Sequence, residues 1–321
     1  MSVDLVYLDH AATTPMRREA IEAMLPYLDQ QFANPNGSHR FARQARRALD
    51  DAREVVAHAV GCGAGEVIFT SGGTESDNTA ILGVVARRGG LPLCSAVEHH
   101  AVLESVEHVK GHVIGVDRCG RIDLDQLGDA VDAGVSIVSV MAVNNEVGSI
   151  TDVAEAAAVA RRADPQVLVH TDAVQAASWL DLRTITPHVD LLSLSAHKFG
   201  GPKGIGVLVD RTGGAVEPLV IGGGQERERR SGTQNVAGAV ALAEALRLAD
   251  AERDDERVRI GALRDQLVRE LTTRLPDVRE TVAPDHKVAG SAHICISGVE
   301  NEALLFLLDE GGVCASAASA C

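Results

Sequence analysis

Seven short apolar runs, separated by helix-forming stretches, constrain this chain more than any other feature. They span residues 66–70, 93–97, 112–116, 135–141, 166–170, 189–194 and 204–209. The run at 135–141 reads VSIVSVM, without the apolar–polar alternation of a half-exposed strand. Continuously apolar strands that alternate with helices form a mostly parallel sheet buried between two helical layers. The fold class is therefore α/β, with a seven-stranded sheet. In such sheets a ligand binds beyond the carboxyl ends of the strands. The residues that follow each run are accordingly the first place to look for chemistry.

The flanks read differently. Residues 7–15 (YLDHAATTP) form an extended segment that turns into a helix over 17–28, followed by a loop at 32–37. Ser38 is the expected N-cap of the next helix. That helix carries apolar residues at 41, 45, 48, 49, 52, 55, 56 and 59, the helical period. Asp152, with Glu155 three residues on, predicts a capping box for a helix over 152–163. Residues 236–275 are almost wholly helix-forming, and a straight helix of that length would run about 60 Å. A break is expected in the charged run 251–256, at a domain boundary. A strand at 292–297, a helix at 301–308 and Gly311-Gly312 begin a second, smaller α+β unit. The expected division is a large domain over 16–250 and a small domain built from 1–15 and 251–321.

The net charge of −15 argues against nucleic acid or an anionic membrane surface as the main partner. No apolar run reaches the length of a membrane span, and the first residues lack a basic region followed by an apolar one. A cytoplasmic protein is the expectation. The six cysteines form no CxxC pair and no zinc spacing, so no metal site is expected and the thiols are read as free. Cys314 reads as a small packed residue.

The strand ends carry the candidate residues. Ser71-Gly72-Gly73-Thr74-Glu75-Ser76 follows the first run. Glycines and a helix N-terminus there suit a phosphate, and a plain strand-to-helix turn fits equally well. Glu98-His99-His100 follows the second. A single imidazole that stacks or moves a proton fits better than a metal pair, because neighbours on an extended segment point apart. Asn145 and Gln175 suit either a ligand or loop hydrogen bonds. Asp172 suits either a helix N-cap or a buried carboxylate that needs a partner. Ser195-Ala196-His197-Lys198 ends the run at 189–194. A lysine at the end of a buried strand is a candidate for Schiff-base chemistry, because burial leaves the amine nucleophilic; a solvated turn lysine is the bland alternative. Gly222-Gly223-Gly224 and Arg230-Ser231-Gly232-Thr233 make a glycine-rich polar loop.

Together these signals suit pyridoxal 5′-phosphate. The cofactor has an aldehyde for Lys198, a phosphate for the turn at Gly73 and Thr74, a ring for His99 and a pyridine nitrogen for Asp172.

The same motifs resemble those of the cysteine desulfurases of NifS and IscS type, within the class V aminotransferases of fold type I. The matching stretches are YLDHAATTP (7–15), SGGTESDN (71–78), EHHAVL (98–103), NNEVG (144–148), HTDAVQ (170–175), SAHKFGGPKGIG (195–206), GGGQERERRSGT (222–233) and CASAASAC (314–321). They cover essentially the whole chain in the family's order. The resemblance implies that Lys198 binds the cofactor covalently and then moves protons on the substrate. It implies that Asp172 pairs with the ring nitrogen, Gln175 bonds the ring hydroxyl, Asn145 lies beside the ring, and His99 stacks on it and acts as acid or base. Gly73, Thr74, Ser195 and His197 would hold the phosphate, with Thr233 reaching across from the partner of a homodimer. Cys321 would be the thiolate that takes sulfur from L-cysteine, leaving alanine, and passes it as a persulfide to an acceptor protein in iron–sulfur assembly or another thiolation pathway. A selenocysteine lyase, an aminotransferase or a non-catalytic scaffold that holds the cofactor are the competing readings.

The sequence departs from the family in two ways. Ala317 and Ala318 stand where the family loop has Ser and Gly. The family also continues past its nucleophile, with elements that complete the small domain and supply an arginine for the substrate carboxylate. The sequence ends at Cys321, so an incomplete small domain, retained cofactor binding and weak turnover are expected of this chain alone.

Overall fold

A computed structural model describes residues 5–317 of the chain. All seven apolar runs become strands of one sheet. They are β1 (Val67–Thr70), β2 (Leu91–Ser95), β3 (His112–Ile114), β4 (Val135–Ser139), β5 (Leu168–Asp172), β6 (Leu191–Ser195) and β7 (Gly206–Asp210). The spatial order is β1-β7-β6-β5-β4-β2-β3. Strand β7 runs antiparallel to both of its neighbours, and every other pairing is parallel. The antiparallel return follows from the Gly200–Gly204 turn, which is too short for a crossover helix.

The two-residue period of the strands sorts their side chains between the faces. Along β6, Leu192 and Leu194 join the larger core cluster, whereas Leu191 belongs to the smaller one on the opposite face. Along β5, Val169 enters the larger cluster. His170 and Asp172 alternate with it and so share the other face, where helix Gly73–Arg88 lies. That helix brings Ile81 and Val84 to Ile68, Ile137, Leu191 and Leu208. All six are buried. Each such side chain contributes about 1.5–3 kcal/mol through burial.

The second layer contains helices Arg40–Val60 and Val236–Arg274. The first keeps its apolar stripe, burying Ala45, Ala48, Leu49, Ala52, Val56 and Ala59. Its N-cap is His39, not the expected Ser38: His39 Nδ1 accepts from Ala42 N at 3.1 Å. Ser38 instead offers its carbonyl to Arg43. Asp152 caps its helix as expected, accepting from Glu155 N at 2.9 Å.

The break expected at 251–256 is absent, and Val236–Arg274 is one helix of 39 residues. The charged run stabilises the helix because its charges pair along it. Arg247 bonds Glu244, Arg253 bonds Asp250 and Arg259 bonds Glu256, each three residues apart. Arg253 is itself buried and also approaches Asp181. Beyond this helix, Val278–Glu280 pairs antiparallel with Ile294–Ile296, and helix Asn301–Glu310 follows. Val313–Cys314 then pairs in parallel with Val6–Tyr7, which brings the two ends of the described chain together. Cys314 is half-buried in this ribbon. Among the described residues, no helix is long and apolar enough to cross a membrane, and no group of His, Cys, Asp and Glu is placed to hold a metal ion.

Candidate active site

The candidate residues gather where β1, β2, β5 and β6 end. Helix Gly73–Arg88 starts directly after β1, so its first amides point over these strand ends. Gly73 sits against the turn that follows β5: a Cβ there would come within 2.9 Å of Val174 Cγ2 and 3.6 Å of Ser195 Cβ. Glycine is thus required for the helix N-terminus to pack on the Asp172–Val174 turn. The spacing places Gly73 and Ser195 side by side, with Thr74 exposed next to them. Exposed amides and small hydroxyl side chains at a helix start form an anion site.

Asp172 is buried, and Oδ1 accepts from Val174 N at 2.8 Å. Burial pushes its carboxyl above the ordinary range; the Val174 amide and the charges of His99 and Lys198 oppose this. His99 caps helix His100–His108, with Nδ1 accepting from Ala101 N at 3.1 Å. That bond makes Nδ1 the acceptor and leaves the hydrogen of the neutral ring on Nε2. Burial and the nearby Lys198 charge hold the imidazole pKa below its usual value, against the pull of Asp172. A cavity of 390 Å³ opens on His99 and Asn145.

Lys198 lies on the short turn after β6. Its Nζ donates to the carbonyls of Ala11 and Ala12, the latter at 2.9 Å. Gln175 Nε2 donates to the same Ala11 carbonyl at 2.8 Å. His197 Nδ1 lies 3.1 Å from Thr13 Oγ1, and Thr14 binds His197 O and Gly200 N. The N-terminal segment therefore closes over the lysine turn. Ser316 Oγ in turn donates to Asp9 Oδ1 at 2.8 Å, so the described end of the chain reaches the same segment. Burial, then Lys198 and Lys203, press the His197 imidazole down to about 4, leaving it neutral.

The loop with Thr233 is held to the same helix start. Arg230 forks onto Glu75, at 2.8 and 3.2 Å. Burial alone would raise the Glu75 carboxyl; Arg230 and Ser71 outweigh it and hold it below the usual range. Farther back, Glu226, Arg227 and Glu228 all take left-handed backbone angles (φ 47, 59 and 67°), a strained run for residues with side chains. A buried fork fixes it: Arg53 Nη1 and Nη2 reach Glu226 Oε2 and Oε1, both at 2.9 Å. Phe69 N and Gln234 Nε2 complete the carboxylate's shell. Thr233 itself is exposed. Cys321 lies outside the described residues.

Three buried groups beside Asp172 escaped the sequence reading. They are Asp77, on the inner face of helix Gly73–Arg88, Glu98 at the end of β2, and His170 on β5. Each lies inside one of the motifs at the strand ends. The available signal was polarity at a position where the strand or helix period demands an apolar residue.

The set fits pyridoxal phosphate: an amine at a strand end, a buried carboxylate, a neutral imidazole with its hydrogen on Nε2, and a helix N-terminus that a single Cβ would fill. The family described as aminotransferase class-V matches residues 6–321. The chain is 42% identical to cysteine desulfurase IscS of Dictyoglomus turgidum, over 98% of this chain and 82% of that one. It is also 42% identical to the IscS-like cysteine desulfurase of Mycobacterium tuberculosis, covering 99% of this chain and 84% of the relative. A solved NifS-like protein superposes with a TM-score of 0.93 at 33% identity, over 97% of this chain and 87% of that structure. The chain belongs to the class V aminotransferase family, among the cysteine desulfurases of NifS and IscS type.

Proposed function

We propose that the chain is a pyridoxal-phosphate-dependent cysteine desulfurase that converts L-cysteine to L-alanine and leaves the sulfur as a persulfide on Cys321. One observation carries this reading. Lys198, Asp172 and His99 converge at the strand ends of a fold shared with relatives named cysteine desulfurases.

When bound, the cofactor supplies a sink for negative charge that develops on the substrate carbon. The chain's own residues do the rest. Gly73, Thr74, Ser195 and His197 hold the phosphate, and Asp172 faces the ring nitrogen as an anion. Gln175 and Asn145 flank the ring. Lys198 Nζ carries protons to and from the substrate carbon, and His99 Nε2 offers a hydrogen from the ring's face. The Cys321 thiolate attacks the substrate sulfur. An S–S bond forms, the C–S bond breaks, and its electron pair stays with carbon, which takes the thiol proton to become alanine. Only a thiolate is competent for this attack. The 390 Å³ cavity opens on the His99 and Asn145 side of the site, and Lys198 and Asp172 do not line it.

A homodimer is part of the proposal. Leu25, Leu28 and Phe32 are exposed apolar side chains, and Ile221 is 89% exposed in the loop that leads to Thr233. Exposed apolar side chains of this kind support a second copy that covers them and receives Thr233. The sulfur acceptor is a protein of iron–sulfur assembly or another thiolation pathway, and the setting is cytoplasmic.

The test is alanine release from L-cysteine by the cofactor-loaded chain, beside Cys321→Ser. Alanine that disappears in the variant supports the desulfurase. Undiminished amino-group transfer or selenium release by Cys321→Ser would instead assign another enzyme of the same fold.

A further inference from the structure

Asp172 does not stand alone in its pocket. Asp77, from helix Gly73–Arg88, and Glu98, from the end of β2, are buried beside it at 1% and 5% exposure. Each acts on another member of the group as a like charge. Three carboxylates cannot all ionise in one dry region, because each charge raises the cost of the next.

The hydrogen bonds set the three carboxyls apart. A buried carboxylate needs donors on both oxygens. Glu98 Oε1 accepts from Ser95 Oγ at 2.6 Å and from Met141 N at 2.8 Å, but Oε2 is buried with no partner. Asp77 Oδ1 is likewise buried without a hydrogen bond. The nearest candidate cation, His170 Nε2, is 3.6 Å from Asp77 Oδ1. His170 is already engaged, with Nδ1 at 2.8 Å from Ser139 Oγ and Nε2 at 3.0 Å from Ser193 Oγ. Burial presses its pKa down to about 3, so it is a neutral ring and no counter-ion. Ser193 also faces Asp77 and on its own favours the ionised carboxyl, an effect that burial outweighs; with Ser139 and His170 it completes a polar column beside Asp77. Asp172 differs from its two neighbours: it receives the Val174 amide and feels the charge of Lys198.

We propose that Asp77 and Glu98 are positioning residues that hold protons at neutral pH, so that Asp172 is the one negative charge presented to the cofactor's ring nitrogen. The proposal rests on the assignment of Asp172 given under Proposed function. Burial supports it by pushing Glu98 up to about 8 and Asp77 well above the usual carboxylate range. The column through His170 fixes the Asp77 carboxyl where it can neither rotate to solvent nor find a cation.

Infrared difference spectra of the 321-residue chain at neutral pH provide the test. Wild type minus Asp77→Asn and wild type minus Glu98→Gln should each show the carbonyl band of a protonated carboxylic acid. Wild type minus Asp172→Asn, with pyridoxal phosphate bound, should show carboxylate bands. A carboxylate signal in either of the first two spectra, or an acid band in the third, overturns the proposal. Asp77→Ala should weaken cofactor affinity about tenfold by stranding Ser193 and His170, and Asp77→Asn should restore it. Equal loss in both variants would overturn the neutral-acid role. Absence of cofactor binding in wild type would instead sink the reading under Proposed function, while the first two spectra, taken without cofactor, still decide where the protons are.

Discussion

Lys198 and Gln175 converge on one backbone oxygen: the lysine amine and the glutamine amide both donate to Ala11 O. An N-terminal segment far from both in sequence thus sets where the amine rests. Ala11 and Ala12 take two of the lysine's N–H donors, and a carbonyl cannot be removed by changing a side chain. On the proposed role of Lys198, loading the cofactor exchanges these bonds for a covalent one. Borohydride reduction of the loaded protein, digestion and mass measurement should therefore find the cofactor on the peptide with Lys198. Lys198→Ala should show no such mass and no alanine release.

The strained turn at Glu226 gives a stability prediction. Arg53 is 5% and Glu226 4% exposed, and the Arg53 guanidinium also lies 4.9 Å above the Phe69 ring. Arg53→Ala leaves the carboxylate buried and unpaired, which costs about 3–5 kcal/mol. Urea unfolding should show this as a lower midpoint. The pH dependence follows. Burial raises the Glu226 carboxyl, but Arg53 overcompensates and holds it below its unfolded value. The pair's stabilisation is therefore present above the unfolded pKa and lost as pH falls through the folded one. The deficit of Arg53→Ala should shrink on acidification below about pH 4.

Gly73→Ala tests the phosphate turn. The added methyl meets Val174 Cγ2 at 2.9 Å, and the turn must open by several tenths of an ångström. Overpacking of this kind costs about 1–3 kcal/mol. Because the helix start and the Asp172–Val174 turn separate, the effect should fall on the cofactor. A rise in the dissociation constant of about tenfold, read by titrating pyridoxal phosphate against the visible absorbance, is expected, as about 1.4 kcal/mol corresponds to a factor of ten.

The sheet was legible because its strands fall in short, mostly apolar runs between helix-forming stretches, a pattern that does not depend on distant partners. Lys198, Asp172 and His99 stood out as candidates because each lies at or just past the end of such a run. The uninterrupted helix was not: the run at 251–256 reads as a break only until Arg253 finds Asp250 and Asp181, and the second of these lies 72 positions away in sequence. The His39 cap was missed because imidazole is a rarer acceptor than the neighbouring serine hydroxyl. Asp77 and His170 carried no signal beyond their polarity, since their meaning depends on helix Gly73–Arg88 lying across β5 and β6.

Glu98 yields the last prediction, and its sign is opposite to that of Glu226. Its folded carboxyl is pushed up to about 8 by burial, against the opposing bonds from Ser95 and Met141. A folded state that binds its proton more tightly than the unfolded state gains stability below the unfolded pKa. It loses that gain as pH rises through the folded value. The group therefore favours folding fully below about pH 4, and its contribution declines until about pH 8. A tenfold difference in proton affinity between the folded and unfolded states is worth about 1.4 kcal/mol, so the full span is on the order of a few kcal/mol. Glu98→Gln keeps the shape and hydrogen-bond acceptor but cannot ionise. Wild type should therefore lose stability relative to Glu98→Gln between about pH 5 and pH 8 in urea unfolding, while the two run parallel below about pH 4. A stability difference that stays constant from about pH 5 to pH 8 would show that Glu98 ionises at an ordinary pKa inside the fold.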